Sequence, residues 1–246
     1  MNLSRANIAL IPARVGSKRI PNKNVKLLNG IPLVAYSIQA AIESKMFDEV
    51  IVSTDSPEIA EISKHWGANV PVLRPRELAT DSSPDFEWFM HAINFMIKTP
   101  INQVEFISLL RPTSPLRRSS SIVRAFQEIA SSDWADSLRA MEPVSQHPGK
   151  MWTVDEGKKA TPFMDQSRLD AHTFNRPTQT LQKIFVQNAS LEIVRLESVL
   201  RTRSISGDSI LAFEMPGWEG FDLNSELDLC LLEYLIQTDP TLLPNI

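Results

Sequence analysis

Cysteine occurs once in the 246 residues, at Cys230. That excludes an intrachain disulfide and a structural zinc site built from the cysteines of one chain. Its neighbours Leu229, Leu231 and Leu232 predict a buried position on a helix. No apolar run approaches the roughly eighteen residues a membrane helix requires. Arg5, Asn7 and Arg14 interrupt the apolar start that a secretory leader would need, so a cytoplasmic protein with no membrane partner is expected. The four histidines, at 65, 91, 147 and 172, lack metal-ligand spacing. Basic stripes and stacking-aromatic runs are missing, and the net charge of −4 with a pI of about 5.6 argues against nucleic acid as a partner.

Acidic residues are absent from the first forty-two positions, which carry six Arg and Lys. Five of these, Arg14, Lys18, Arg19, Lys23 and Lys26, fall between Ile11 and Lys26. The apolar run Ile8-Ala-Leu-Ile-Pro12 precedes this segment and a helical pattern from Leu33 to Ser44 follows it, which makes it a strand-to-helix loop. Gly16, Ser17, Pro21, Asn22 and Asn24 are interleaved with the cations. Such a loop suits a polyanion such as a triphosphate better than a solvated charge block.

Val- and Ile-rich runs alternate with helical patterns through the first half, which predicts an α/β fold with a mainly parallel central sheet flanked by helices. The expected strands are 8–13, 49–53, 69–73, 106–110 and 137–141; the expected helices are 33–44, 57–66, 84–96 and 119–130. Ser56-Pro57 and Ser83-Pro84 each read as an N-cap followed by proline at the first helical position. Trp66, Phe89 and Phe95 lie at helical spacing and are expected in the core. From about 142 to 183 prolines recur without a period, yet Met151-Trp-Thr-Val154 and Phe163 are too apolar for a free linker. This is expected to be a segment inserted into a single domain spanning 1–246 that packs on a second subunit. Sheet pattern resumes at 184–194 and 210–213, and a helix closes the chain at about 225–237.

Ligands of open α/β sheets sit beyond the carboxyl ends of the strands. The basic loop arrives there, as do Asp55, Arg74 and Arg76, and then Arg111, Thr113, Ser114 and Arg117. The rim is rich in cations and hydroxyls and poor in nucleophiles. Asp55 reads equally well as a metal or ribose contact and as the polar end of a strand.

Several motifs run in order along the chain: Ile11-Pro-Ala-Arg-x-Gly-Ser-Lys18, Lys23-Asn24, Leu28-Asn-Gly-Ile-Pro32, Val52-Ser-Thr-Asp55, Leu73-Arg-Pro-x-Glu-Leu-Ala79, Pro112-Thr-Ser-Pro-Leu-Arg117, His147-Pro-x-Lys150, Gln187-Asn188 and Phe221-Asp-Leu-Asn-Ser-Glu-Leu-Asp228. Together they resemble the acylneuraminate cytidylyltransferases, or CMP-sialic acid synthetases, including related synthetases for legionaminic and other nonulosonic acids. The resemblance implies a Rossmann-like nucleotidyltransferase acting on CTP and a nine-carbon sugar acid, with Mg²⁺ as cofactor and a homodimer as the working form. Carried over by position, it implies catalytic contacts to the triphosphate by Arg14, Lys18 and Lys23, with Ser17 and Asn24 completing that loop. Arg74 would lie near the cytidine, and Asp222 would ligate the metal. Arg111, Ser114, Arg117, Lys150, Gln187 and Asn188 would bind substrate, with Lys150 and the Asn188 region near the sugar.

Three departures from that pattern are visible. Asp222-Leu-Asn224 stands where many relatives have Asp-x-Asp, so Asp222 is expected to be the one carboxylate on the metal. Asp228 is expected to serve the start of the last helix. Arg111 replaces a Gln, and Val186-Gln187 replaces Arg-Pro, both on the sugar side. Transfer of CMP to a sialic- or legionaminic-type acid is the expected activity. The alternatives are a Kdo or pseudaminic acid cytidylyltransferase, or a non-catalytic nucleotide-binding protein of the same fold.

Overall fold

The computed structural model describes residues 5–80, 83–164 and 172–244. The first strand, β1 (Ala6–Pro12), leads through the basic loop to a short hairpin, β2 (Leu27–Leu28) and β3 (Ile31–Pro32), and then to α1 (Leu33–Ser44). Asn29 and Gly30 both take positive φ, 49° and 80°. Asn-Gly is the pair that a two-residue turn of type I′ favours. After these come β4 (Glu49–Ser53), α2 (Pro57–His65), α3 (Asp85–Phe95), β5 (Val104–Leu109), α4 (Ser119–Ala130) and β6 (Ser137–Pro143). A small hairpin, β7 (Trp152–Val154) and β8 (Ala160–Pro162), precedes β9 (Phe185–Arg195), α5 (Leu196–Thr202), β10 (Ile210–Glu214) and α6 (Glu226–Thr238).

Six strands form one sheet in the order β10-β6-β9-β5-β1-β4. β1 runs parallel to both β4 and β5, and β9 is antiparallel to β5. Alternation along β1 sorts its side chains onto two faces. Ala9 and Ile11 join a core with Val34 and Ile38 of α1 and Phe126 of α4. Ile8 and Leu10 join another with Trp88 and Phe89 of α3 and Val199 of α5. A third cluster gathers Ile20, Leu28, Leu33, Leu223 and Leu232, so the basic loop is anchored by one apolar residue among its cations. Burying Ile20 contributes on the order of 1.5–3 kcal/mol to holding a loop whose charges otherwise repel one another.

Ser56 caps α2, its Oγ accepting from Ile59 N at 3.3 Å. Asp228 forms a capping box with Ser225 at the start of α6, the role expected of it. Other sequence expectations give way to the structure. Ser83 does not cap α3; its Oγ donates to the Glu77 carbonyl and accepts from Thr80 N, and Pro84 takes the cap position. The run 69–73 makes only an isolated bridge between Asn69 and Ile51. Phe95 at the end of α3 is 67% exposed and Trp66 only partly buried, whereas Phe89 is fully buried. Cys230 is on a helix but exposed, because Leu229 and Leu232 define the inward stripe of α6.

Two compact units are distinguishable: residues 1–140 with 188–246, and Met141–Gln187. Within the second, β7 pairs with β8, Trp152 lies against Phe174 with ring centroids 4.7 Å apart, and His147 accepts from Gly149 N. Residues 165–171 of the expected inserted segment fall outside the described ones. No helix among the described residues is long and apolar enough to cross a membrane.

Asp136 ties α5 to the loop before β10. Its carboxylate accepts from Ser198 Oγ (2.6 Å), Arg201 Nη2 (2.8 Å), Asp208 N (2.8 Å) and Ser209 N (3.1 Å). Gly207 passes so close, with φ +65°, that a Cβ there would sit 2.3 Å from Asp136 Cβ. The hydrogen bond from Ser198 and those from the loop amides hold the Asp136 pKa down at about 2 from 3.8. A depressed carboxylate stabilises the fold above its unfolded pKa and ceases to as pH falls through its folded one. Asp136→Asn is therefore expected to lower the urea midpoint at pH 7, with the difference from the parent closing between about pH 4 and pH 2. A difference that is constant across that range would contradict the role.

Candidate active site

At the carboxyl end of β1 lies a cavity of about 540 Å³. Of the residues expected at the site, Arg14, Ser17, Lys18, Lys23, Asn24, Arg74 and Arg111 all line it. The loop that brings the first five together is braced from within and without. Asn24 Nδ2 donates to the Arg14 carbonyl (2.8 Å), closing the loop across ten residues, and Asn22 turns it with φ 53°. Asp55 Oδ1 accepts from Val15 N (2.9 Å) and Arg14 Nη1 donates to the Ala79 carbonyl (3.2 Å). Asp55 thus has a structural bond to the loop, and Asn24 has a bracing duty. With these contacts in place, the loop does not have to be ordered when an anion arrives, which lowers the entropic cost of binding.

Lys23 donates from Nζ to the Leu223 carbonyl at 3.0 Å, and Leu223 N donates to the Thr113 carbonyl at 2.8 Å. The segment carrying Asp222 is thereby clamped between the basic loop and the loop after β5. Burial lowers the Lys23 pKa from 10.5; Asp222 opposes that shift, and Arg19 and Arg14 reinforce it. Asp222 Oδ2 accepts from Asn224 Nδ2 at 2.6 Å, while its buried Oδ1 has no hydrogen-bond partner among the described residues. A buried carboxylate oxygen without a donor costs free energy unless a cation arrives. Asp222 is not itself among the residues lining the cavity, but it adjoins Leu223, which Lys23 of the lining contacts; a single carboxylate in that place fits Mg²⁺, which takes one or two carboxylates with phosphate oxygens and water.

Arg74 is buried, its Nε and Nη2 donating to Ser53 Oγ (3.0 Å) and the Ser53 carbonyl (2.7 Å), and its guanidinium lies 4.8 Å above the Trp88 ring. Burial brings its pKa down to about 10, which leaves it charged at neutral pH. Arg111 is ion-paired to Asp85 (2.8 Å) and Glu192 (3.3 Å).

Other expected site residues are elsewhere. Arg117 is fully buried and outside the cavity lining. It donates to the Ser190 carbonyl, Ser37 Oγ (2.6 Å) and the Arg111 carbonyl (3.5 Å). Burial pulls its pKa to about 9. Its geometry joins the loop after β5 to α1 and β9. Ser114, within that loop, is likewise buried and outside the cavity lining. Asn188 braces the start of its own strand segment, accepting from Ser190 N. Lys150 and Gln187 are exposed residues of the unit Met141–Gln187.

The cavity also contains Arg19 of the basic loop and Thr113 of the rim, together with three residues that sequence reasoning passed over: Thr80, Asp85 and Trp88. Asp85 and Trp88 lie three apart at the start of α3, and Asp85 Oδ1 accepts from Trp88 Nε1 at 2.8 Å. Their spacing placed them on one helical face, but nothing local marked that face as turned toward a ligand.

A profile of the cytidylyltransferase family matches residues 8–167. The CMP-N,N'-diacetyllegionaminic acid synthase of Legionella pneumophila is 32% identical over 94% of this chain and 96% of its own length. The N-acylneuraminate cytidylyltransferase of Escherichia coli is 33% identical over 90% of this chain, but the match spans only 50% of that longer relative. Among solved structures, a CMP:2-keto-3-deoxy-manno-octonic acid synthetase complexed with CTP shares the fold, with TM-score 0.67 at 16% identity over 95% of this chain and 99% of its own. A basic loop closing β1, an arginine stacked at the end of β4 and a family match that begins inside β1 converge on one conclusion: the chain belongs to the cytidylyltransferase family.

Proposed function

We propose that the protein transfers CMP from CTP to the anomeric hydroxyl of a nonulosonic acid of the sialic or legionaminic type, releasing pyrophosphate. The observation that carries this reading is the convergence of Arg14, Lys18, Lys23 and Arg74 on one cavity at the carboxyl end of β1, in a chain whose relatives bear the names of such enzymes. A triphosphate brings about four negative charges that cannot be buried without paired cations. Arg14, Lys18 and Lys23 surround the β- and γ-phosphates and stabilise the charge that builds on pyrophosphate as it departs. Arg74, fixed between Ser53 and Trp88, orients the nucleoside. The sugar hydroxyl attacks the α-phosphorus in line, so positioning and charge neutralisation supply the rate enhancement. Asp222 would hold Mg²⁺ together with phosphate oxygens and water, and the ion would supply further neutralisation of the phosphates. Lys150, Gln187 and Asn188 approach the sugar acid in this reading. A protein with one exposed cysteine that consumes a cytosolic nucleotide belongs in the cytoplasm.

Pyrophosphate release measured with each of the four nucleoside triphosphates against sialic, legionaminic, pseudaminic and Kdo acids tests the proposal. Turnover with CTP and a sialic- or legionaminic-type acid is expected; turnover confined to Kdo, or none with any pair, would refute it.

A homodimer belongs to the same proposal. The unit Met141–Gln187 leaves Trp152, Val154, Phe163 and Val186 exposed, more apolar surface than so short a segment carries without a partner. A second copy of the chain covers it in the working form. Sedimentation is expected to give a dimer, and Trp152→Glu is expected to shift it toward monomer. A monodisperse, fully active parent monomer would defeat this part.

A further inference from the structure

Asp85 is the one carboxylate among the described residues lining a cavity that also holds Arg14, Lys18, Arg19, Lys23, Arg74 and Arg111. Its Oδ2 pairs with Arg111, and Arg111 also pairs with Glu192, whose other oxygen meets Arg139 Nη1 at 2.8 Å. Two arginines and two carboxylates thus make a four-residue cluster with no net charge. Lys23, at the far arm of the basic loop, has other charged neighbours than this cluster. Lys23 feels Arg19, Arg14 and Asp222, whereas Arg111 feels Glu192 and Asp85. Arg74 lies between the two groups, with Asp55, Asp85, Arg14 and Arg111 all among its charged neighbours.

We propose that Asp85 is a specificity-determining residue that cancels the charge of Arg111, so that the cavity has an anion-seating part at the basic loop and a neutral, directional part at Arg111. This rests on the nucleotide-binding reading above and adds to it a reason why the polyphosphate settles in one register. Without Asp85 the cluster carries one positive charge, and an anion gains a competing place to sit. Asp85 also accepts from Trp88 Nε1, the ring beneath Arg74, but an asparagine carbonyl there preserves that bond while removing the charge.

Calorimetric titration with inorganic triphosphate, which needs no turnover, separates charge from architecture. Asp85→Asn leaves the cluster at +1, Arg111→Gln leaves it at −1, and the double variant returns it to zero. One uncompensated charge near a polyanion at low salt changes affinity by about five-fold. Asp85→Asn is therefore expected to bind inorganic triphosphate about five-fold more tightly than the parent, Arg111→Gln about five-fold more weakly, and the double variant like the parent. The differences should shrink at high salt. CTP should lose its advantage over inorganic triphosphate in Asp85→Asn and regain it in the double variant. Equal or weaker triphosphate binding by a folded Asp85→Asn, or a double variant that fails to return to the parent value, overturns the proposal. If Asp85→Asn does not fold, Arg111→Gln decides: binding as tight as the parent's overturns it. Should the parent bind triphosphate in the expected order yet never turn CTP over, the functional reading fails while this one stands.

Discussion

Lys23→Met is expected to lower kcat/KM for CTP by a hundredfold or more while leaving the protein folded. Methionine keeps most of the volume and removes the charge, so the loss isolates the ammonium. Two charge-assisted hydrogen bonds to phosphate oxygens, at about 1.5–3 kcal/mol each, correspond to roughly two to four powers of ten in rate. Stability moves little, because two effects oppose each other. The bond from Lys23 Nζ to the Leu223 carbonyl disappears, a cost of about 1 kcal/mol, but so does the penalty of a buried charge that lowers this pKa. The sign follows from that shift. A lysine whose folded pKa lies below its unfolded 10.5 binds its proton more weakly when folded, so its charge costs stability at neutral pH, and the cost fades as pH rises through the folded value. Activity has the opposite dependence, declining on an alkaline limb that begins below 10.5 and that Lys23→Arg shifts upward. Steady-state kinetics and urea denaturation of the same preparations check both halves. Unimpaired turnover of Lys23→Met at subsaturating CTP would remove Lys23 from the triphosphate site.

How legible this molecule was in its sequence depends on the distance over which each feature is decided. β4, α1 and α4 have the expected bounds because their periodicity and end signals are local. The basic loop was legible for the same reason, as the absence of acidic residues from the first forty-two is visible without any fold. The Asn69 run failed as a strand because its apolar residues had no neighbouring strand to pair with beyond one bridge, and pairing partners are a tertiary matter. Arg117 is the clearest case at the site. As a cation in a rim motif it looked like a ligand contact, but the fold encloses it among a serine hydroxyl and two carbonyls. Asp85 went unnoticed because its importance comes from Arg111, twenty-six residues away, and from Glu192, eighty-one residues beyond that. Cys230 and Phe95 show the limit of hydrophobicity as a guide, since each is apolar yet lies off the inward stripe of its helix.

Asp222→Asn is expected to abolish nearly all turnover, by a thousandfold or more, and to leave the free protein as stable as the parent or slightly more so. The two outcomes have one cause. Asp222 keeps a buried Oδ1 without a donor and engages Oδ2 with the Asn224 amide, an arrangement that costs free energy in the free protein and is useful only when a cation is bound. Neutralising the side chain removes that cost and, with it, the charge that a divalent ion needs. Asn224→Asp makes the complementary change. It sets a second carboxylate where the Nδ2 donor now lies 2.6 Å from Asp222 Oδ2, so like charges meet and the free protein loses stability. Mg²⁺ relieves that repulsion, and its stabilising effect should grow accordingly. Thermal unfolding with and without Mg²⁺, in the presence of CTP, reads this directly: the Mg²⁺-dependent rise in Tm should be smallest for Asp222→Asn, intermediate for the parent and largest for Asn224→Asp. An active Asp222→Asn enzyme with an unchanged Mg²⁺ response would mean that the ion is held elsewhere and that the unsatisfied oxygen of Asp222 has another purpose.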